Sequence, residues 1–421
     1  MDFNDTPEEA AFRAEARAFL EANATRKKPN EPAQRSRYNE GPEALVQSKA
    51  WQGKKAAAGF AGITWDPQWG GRGGSSIQQV IWNQEEANYN VPRGHFEIGL
   101  GMCIPTMMHY AKPEQLKRYV GPALRGEEIW CQLFSEPSAG SDLAGLRTRA
   151  VRDGDDWVIN GQKIWTSGAH YCDYGILITR TDPSAPKHAG LTMFFLDMKT
   201  PGVEVRRIKQ ISGTSNFNEV FFTNVRLPDS QRLGAVGGGW KVSLTTLMNE
   251  RLAVGQAPGP DSADILQLVR GLTIDGEPAL ANAAVRDRLA DWYVKTEGLK
   301  YTRFRSITAL SRGQTPGPEA SITKTVSATK LQEIASFGMD LLGQAGAIME
   351  PDSIPAQGWF QEALLYAPGM RIAGGTDEIL RNIIAERVLG LPADVRVDKD
   401  LPFSELPRGG AASASPSGRA G

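Results

Sequence analysis

Three short strings in this chain carry residue types that could do chemistry together. The first is Phe134-Ser135-Glu136-Pro137-Ser138-Ala139-Gly140-Ser141-Asp142, an apolar strand end running into a loop of small and hydroxylated residues. In such a loop little side chain intervenes, so backbone N–H groups can approach a phosphate or a flat ring closely. The second is Asn160-Gly161-Gln162-Lys163-Ile164-Trp165-Thr166-Ser167, which sets an indole beside two hydroxyls, an arrangement that could flank a heterocycle. Taken alone, a turn between sheet strands accounts for both strings equally well. The third string holds a carboxylate, Glu250, in Met248-Asn249-Glu250-Arg251-Leu252. A carboxylate in a dry site can serve as a base, because desolvation raises its pKa, but a helical Glu beside an Arg is ordinarily a solvated face.

Metal and nicotinamide chemistry find no support in the sequence. His95, His109, His170 and His188 are widely spaced, none at zinc-ligand spacing, so no metal is expected. Trp69-Gly70-Gly71-Arg72-Gly73-Gly74-Ser75-Ser76 lacks the Gly-Lys-Ser/Thr of a phosphate loop and reads as a connection between helices. The 47 basic and 48 acidic residues leave a net charge of −1, which offers no pull toward nucleic acid or an anionic membrane. Cys103, Cys131 and Cys172 are too few and scattered for a disulfide framework and read as reduced thiols. With no 18-residue apolar run and no signal-peptide pattern at Met1-Asp2-Phe3, the expectation is a cytoplasmic protein.

The elements that must position these strings change character twice. Thr6-Pro7-Glu8-Glu9 is a capping box that opens an amphipathic helix, and further helices are expected over 43–58, 78–88 and 114–125. From Glu128 to Arg226 short apolar runs alternate with Pro and Gly, and the spacing predicts strands over 175–179, 191–197, 203–207 and 219–225. Trp157 to Trp165 reads as a hairpin turning at Asn160-Gly161. Helical periodicity returns after Gly237-Gly238-Gly239 and predicts helices over 241–254, 283–310, 319–342 and from Thr376 onward. The expected layout is α+β: a helical domain over 1–128, an antiparallel β domain over 129–235, a helical domain over 236–392 and a tail over 393–421. From about Ser404 the tail is Gly, Ala, Ser and Pro, a composition expected to be disordered.

In this layout the strings resemble the flavin-dependent acyl-CoA dehydrogenase family. Its first signature, Ser/Thr-Glu-Pro followed by small residues and Gly-Ser-Asp, is met by Phe134 to Asp142. Asn-Gly-x-Lys-x-Trp-x-Ser/Thr is met by Asn160 to Ser167, and Gly-Thr-acidic/amide-x-Ile by Gly375-Thr376-Asp377-Glu378-Ile379. The resemblance implies a C-terminal four-helix bundle and bound FAD. It implies that Gln132, Phe134, Ser135, Gly140 and Ser141 line the flavin, that Trp165 and Ser167 lie beside its ring, and that Thr376 and Glu378 lie near the adenine end. A second subunit contributes in the family through a Gln-x-x-Gly-Gly-x-Gly string. Here Asp340 to Gly346 keeps Gly343 and Gly346 but not the leading Gln.

Many family members carry the catalytic Glu immediately before that Gly-Thr, where this chain has Gly374. A branch of the family places it on the first helix of the C-terminal domain before an Arg, which corresponds to Glu250. The resemblance then implies Glu250 as base, the Gly374 backbone N–H as a donor to the thioester oxygen, and Arg251 as an orienting group. The reaction implied is α,β-dehydrogenation of an acyl-CoA, with electron-transfer flavoprotein as acceptor and a homodimer or homotetramer as the assembly. The alternatives are an acyl-CoA oxidase-like flavoenzyme and a catalytically silent subunit of a heteromeric dehydrogenase.

Overall fold

The computed structural model describes residues 5–28, 41–253, 259–311, 317, 320–350, 353–393, 395, 398 and 400–406; of 250–253, 310, 311, 320 and 355 it describes the backbone alone. In the N-terminal region the helices are α1 (Pro7–Asn23), α2 (Pro42–Ala57), α3 (Ser76–Glu86), α4 (Ile104–Tyr110) and α5 (Pro113–Leu124). The Thr6 hydroxyl accepts from the Glu9 amide and the Glu9 carboxylate from the Thr6 amide, so α1 starts at its capping box. The Gly-rich stretch before α3 is a connection, and Ser75 caps α3 with Gln78 in the same reciprocal way. One departure from an all-helical reading is a two-residue antiparallel pair, β1 (Thr25–Arg26) with β2 (Tyr89–Asn90). Phe12, Leu20, Trp51, Phe60, Ile81 and Trp82 close this region's core.

A single eight-stranded sheet forms the middle of the molecule. Its strands are β3 (Trp130–Leu133), β4 (Arg149–Asp153), β5 (Asp156–Ser167), β6 (Tyr174–Arg180), β7 (Leu191–Asp197), β8 (Val203–Ile208), β9 (Phe217–Pro228) and β10 (Arg232–Leu233). Along the path the order is β10-β7-β6-β4-β5-β9-β8, with β3 also on β6. The sheet is mixed rather than wholly antiparallel: β3 runs parallel to β6 over Trp130–Leu133, and β4 meets β6 in parallel at Arg149 and Arg180. β3 and β4 therefore lie in tandem along one edge of β6. Between them the chain leaves the sheet at Phe134 and rejoins it at Arg149.

The expected Asn160-Gly161 hairpin is absent, because β5 passes straight through it. The hairpin turn lies earlier, at Gly154-Asp155, where Asp153 pairs with Asp156 and Gly154 takes φ 63°. Asn160-Gly161 is instead a bulge against β9. A Cβ on Gly161 would sit 2.5 Å from Thr148 Oγ1 and 2.6 Å from its Cα, so close backbone approach, rather than a turn, requires glycine there.

The C-terminal helices are α6 (Gly239–Ala253), α7 (Ser262–Arg270), α8 (Ala283–Ser311), α9 (Ala320–Leu342), α10 (Trp359–Met370) and α11 (Asp377–Ile383). α6 lies against β7, α4 and the π-helical turn over Gly99–Cys103. Its start presses on the sheet so tightly that a Cβ on Gly239 would come within 2.7 Å of the Leu191 and Thr192 backbone. The stretch just before the small-residue tail pairs with the loop that precedes β7. Pro402 bridges to Pro186, the Phe403 amide donates to the Ala185 carbonyl at 3.0 Å, and the Ser404 amide to the Pro183 carbonyl at 2.9 Å. Residues 407–421 lie outside the described residues.

Candidate active site

The excursion between β3 and β4 carries the first string, and β5 carries the second beside it. Gln132 lies near the end of β3 opposite Ile176, and Phe134 follows the strand directly. The chain then turns over Glu136-Pro137-Ser138-Ala139, where the Glu136 and Ala139 amides donate to each other's carbonyls at 3.0 Å. The two strings are joined directly, since the Ile164 amide donates to the Ser135 carbonyl at 2.9 Å.

Beneath that contact lies a buried ion pair. Lys163 Nζ is 2.8 Å from Glu136 Oε1, with the side chains 0% and 5% exposed, and it also donates to the Phe134 carbonyl at 2.9 Å. The remaining valences of Glu136 are met by the Arg147 amide at 2.6 Å and the Thr148 amide at 2.9 Å. Burial works against the Glu136 charge, yet Lys163 and these donors hold its carboxyl below the ordinary value. Burial pulls Lys163 below the ordinary lysine range despite the carboxylate. The loop that interrupts the ladder is thus pinned from inside by a charge-assisted network. Neither residue was singled out from sequence, since Lys163 follows the polar Gln162 and only its distant partner Glu136 accounts for its burial.

Beyond Lys163 the register of β5 slips again before Thr166, and Trp165 takes φ 60° within this second bulge. In a regular strand residues 163, 165 and 167 would share one face. The bulge turns the Trp165 indole outward, 56% exposed, with its edge against Phe217, and turns Thr166 inward. The left-handed region costs a bulky side chain about 1–2 kcal/mol. The Thr166 hydroxyl is buried without a hydrogen-bond partner. Ser167 is half-buried, Ser141 is exposed, and nothing lies within 4 Å of a Cβ placed on Gly140.

The Gly-Thr signature, Gly375 to Ile379, is built on the C-terminal helices. Gly374 and Gly375 take φ 68° and 95°, two successive left-handed positions that favour glycine. Thr376 caps α11, its hydroxyl accepting from the Ile379 amide at 3.3 Å. Asp377 is buried; Arg371 Nε donates to its Oδ2 at 2.7 Å, and Lys324 Nζ lies 3.6 Å from its Oδ1. Lys324 also donates to the Gly375 carbonyl at 2.7 Å, so α9 and α10 together fix the glycine turn. Gln332, Arg371, Thr376 and the exposed Glu378 help line an open cleft of about 360 Å³. Gly343 follows the last residue of α9, nineteen positions from Lys324, which is roughly 28 Å along a helix. One chain therefore cannot bring Gly343 and Gly375 to the same point.

Glu250 and Arg251 fall on α6, but their side chains lie outside the described residues. The seat of α6 is well defined: Thr246 Oγ1 and Thr106 Oγ1 are 2.9 Å apart, as are Thr245 Oγ1 and the Tyr110 hydroxyl. Met102 and Met107 beneath it are core residues, and His95 Nδ1 is 2.8 Å from the Ser48 hydroxyl inside the N-terminal region. Among the described residues no cluster of His, Cys, Asp or Glu could hold a metal ion, and no helix is long and apolar enough to cross a membrane.

Comparison with known proteins agrees with this architecture. Family models for the N-terminal, middle and C-terminal domains of acyl-CoA dehydrogenase match residues 6–127, 131–225 and 237–389. The chain is 40% identical over 324 residues, 76% of its length, to acyl-CoA dehydrogenase FadE34 of Mycobacterium tuberculosis, and it spans 43% of that longer protein. It is 36% identical over 360 residues to acyl-CoA dehydrogenase IpdE1 of the same organism, covering 84% of this chain and 90% of IpdE1. Among solved structures, the Tcur3481-Tcur3483 steroid ACAD is 28% identical with a TM-score of 0.76, covering 94% of this chain and all of that one. The ChsE4-ChsE5 complex from Mycobacterium tuberculosis is 27% identical with a TM-score of 0.73, at 94% and 100% coverage. The chain belongs to the acyl-CoA dehydrogenase family, whose members are flavoprotein oxidoreductases that bind FAD.

Proposed function

We propose that this chain carries out α,β-dehydrogenation of an acyl-CoA thioester to the trans-2-enoyl-CoA. FAD, when bound, supplies the hydride acceptor at its N5. The observation that carries the reading is the second bulge of β5, which holds the Trp165 indole outward at a conformational cost beside a loop locked by Glu136 and Lys163. The residues fit the cofactor: an outward aromatic face, a buried Thr166 hydroxyl lacking a partner, and open space at Gly140. On this reading Gln132, Phe134, Ser135, Gly140 and Ser141 line the flavin, and Trp165 and Ser167 flank its ring. Thr376 and Glu378 take the adenine end, and Gly343 serves the site of a neighbouring subunit.

Glu250 removes the α-proton. Support comes from the seat of α6 between α4 and the sheet, and from Gly374, whose left-handed backbone presents an N–H without a side chain. That N–H stabilises the developing charge on the thioester oxygen, and Arg251 orients the substrate. Anaerobic mixing of Glu250→Gln with acyl-CoA substrates tests the assignment. FAD content should match wild type, while substrate-dependent loss of flavin absorbance slows by about 10²–10⁴-fold. Reduction at a near wild-type rate would remove Glu250 from the mechanism.

A second reading, a subunit paired with a different homologue, is favoured by Gly374 at the usual base position and by two structural relatives that each combine two named proteins. A chain that purifies alone without FAD and gains it only with a partner would establish it. A homodimer or homotetramer with full FAD would exclude it. The likeness to a steroid ACAD favours a bulky, cyclic acyl group. Turnover with electron-transfer flavoprotein against turnover with oxygen separates dehydrogenase from oxidase. The three free, buried cysteines suit a reducing cytoplasm.

A further inference from the structure

We propose that the end of the chain, Asp398 with residues 400–406, acts as a strap that positions the flavin-holding loop from outside. The proposal rests on the reading of Phe134 to Asp142 as the cofactor segment. Two contact chains connect strap and loop. In the first, Lys187 Nζ lies 2.6 Å from Asp398 Oδ2 and 3.0 Å from Oδ1 of Asp142, the last residue of the string. One buried ammonium thus joins two carboxylates that lie 256 positions apart in the sequence. Although burial disfavours its charge, the two carboxylates hold the Lys187 pKa above the ordinary lysine range.

In the second chain, the Phe403 ring lies over the Arg180 guanidinium at 3.5 Å, with Arg147 on it at 5.4 Å. Arg180 is buried and spends its donors on carbonyls: Ala144 at 2.5 Å, Leu146 at 3.1 Å and Lys187 at 3.2 Å. Two of these belong to the stretch that carries the loop back to β4. Desolvation brings the Arg180 pKa down to about 10, so it stays charged at neutral pH, and the aromatic face covers a cation that bonds to no carboxylate among the described residues. Arg147 adds a link to the inner anchor, since its backbone amide is held by Glu136. The loop is therefore clamped between the Glu136–Lys163 pair inside and the strap outside. No strap residue belongs to the cofactor segment, so the role is positioning, exerted through Lys187 and Arg180.

The test uses the full-length chain, stripped of flavin and titrated with FAD by fluorescence quenching, with apoprotein melting followed in parallel. The double variant Asp398→Asn, Phe403→Ala should bind FAD at least tenfold more weakly while its apoprotein melts within a few degrees of wild type. Phe403→Tyr, which keeps the aromatic face, should restore binding to within twofold. Trp165→Ala is the control for the cofactor segment. If Trp165→Ala weakens FAD but the double variant binds within twofold of wild type, the strap proposal is overturned and the segment reading stands. If both bind as wild type, the segment reading fails and the strap falls with it. Should the double variant not fold, Asp398→Asn alone decides, since it cuts one contact chain and leaves Phe403 seated; unchanged affinity there counts against the strap.

Discussion

Replacing Lys163 with Met tests whether the buried pair organises the flavin loop. The substitution keeps the apolar stem but leaves the Glu136 carboxylate in a site where its side chain is 5% exposed. Breaking one side of a buried pair costs about 3–5 kcal/mol. Two backbone donors remain on Glu136, at 2.6 and 2.9 Å, so the lower end applies, about 3 kcal/mol, or about 160-fold in the folding equilibrium. Spread over the 421-residue chain as one cooperative unit, that lowers the apoprotein melting temperature by about 3–4 °C. The pH dependence has a definite sign. Because the folded pKa of Glu136 is depressed, its contribution is present above the ordinary value of 4.5 and is lost as pH falls through the folded value. Lys163→Met raises that folded value and moves the acid transition to higher pH. Circular dichroism melts between pH 4 and 8, with FAD content measured on the same samples, check both effects. The double variant Glu136→Gln, Lys163→Met removes the stranded charge and should recover all but about 1 kcal/mol. A loss under 1 kcal/mol for Lys163→Met, or strict additivity in the double variant, would refute the reasoning.

Three further outcomes are expected. Trp165→Gly should leave apoprotein stability within about 1 kcal/mol, because relief of the left-handed backbone offsets the lost edge contact with Phe217, yet FAD binding should weaken at least tenfold; a large stability loss with unchanged FAD affinity would make the indole structural. Gly161→Ala should cost about 1–3 kcal/mol in thermal melts through its clash with Thr148, whereas Gly154→Ala, with nothing within 4 Å, should show only the smaller cost of a left-handed alanine. Asp377→Ala should cost about 3 kcal/mol by leaving Arg371 and Lys324 without their carboxylate, and should raise the hydrogen-exchange rate of the Ile379 and Leu380 amides at the start of α11.

The parts of this fold written in local signals were legible. Thr6 with Glu9, the strand periodicities of β6 to β9 and the cap at Thr376 each depend on residues a few positions apart, and the structure has them where the spacing puts them. Asn160-Gly161 misled because an Asn-Gly pair between apolar residues suits a tight turn as well as a bulge. The choice was made by Thr148, which reaches Gly161 from the residue just before β4. The parallel placement of β3 and the second bulge at Trp165 likewise depend on distant pairing and leave no short-range trace. The seat of Phe403 over two arginines likewise depends on residues far apart in sequence, while 407–421, where composition points to disorder, lie outside the described residues. Glu250 as a candidate base rests on the family resemblance alone, since by itself it looks like any helical carboxylate.

The parallel seat of β3 also bears on the order in which the molecule assembles. β4 and β5 are joined by two residues and can pair early, whereas Trp130 must find Tyr174 across more than forty residues of intervening chain. The strand that leads into the loop from Phe134 to Asp142 is thus expected to dock after the hairpin, which on the proposed function makes the cofactor cradle a late product of folding. Pulse-labelled hydrogen exchange during refolding would read this directly: amides of β4 and β5 protected before those of Cys131 and Leu133 agree with it, and the reverse order would contradict it. A nascent chain would then become competent for flavin only once its sheet is essentially complete.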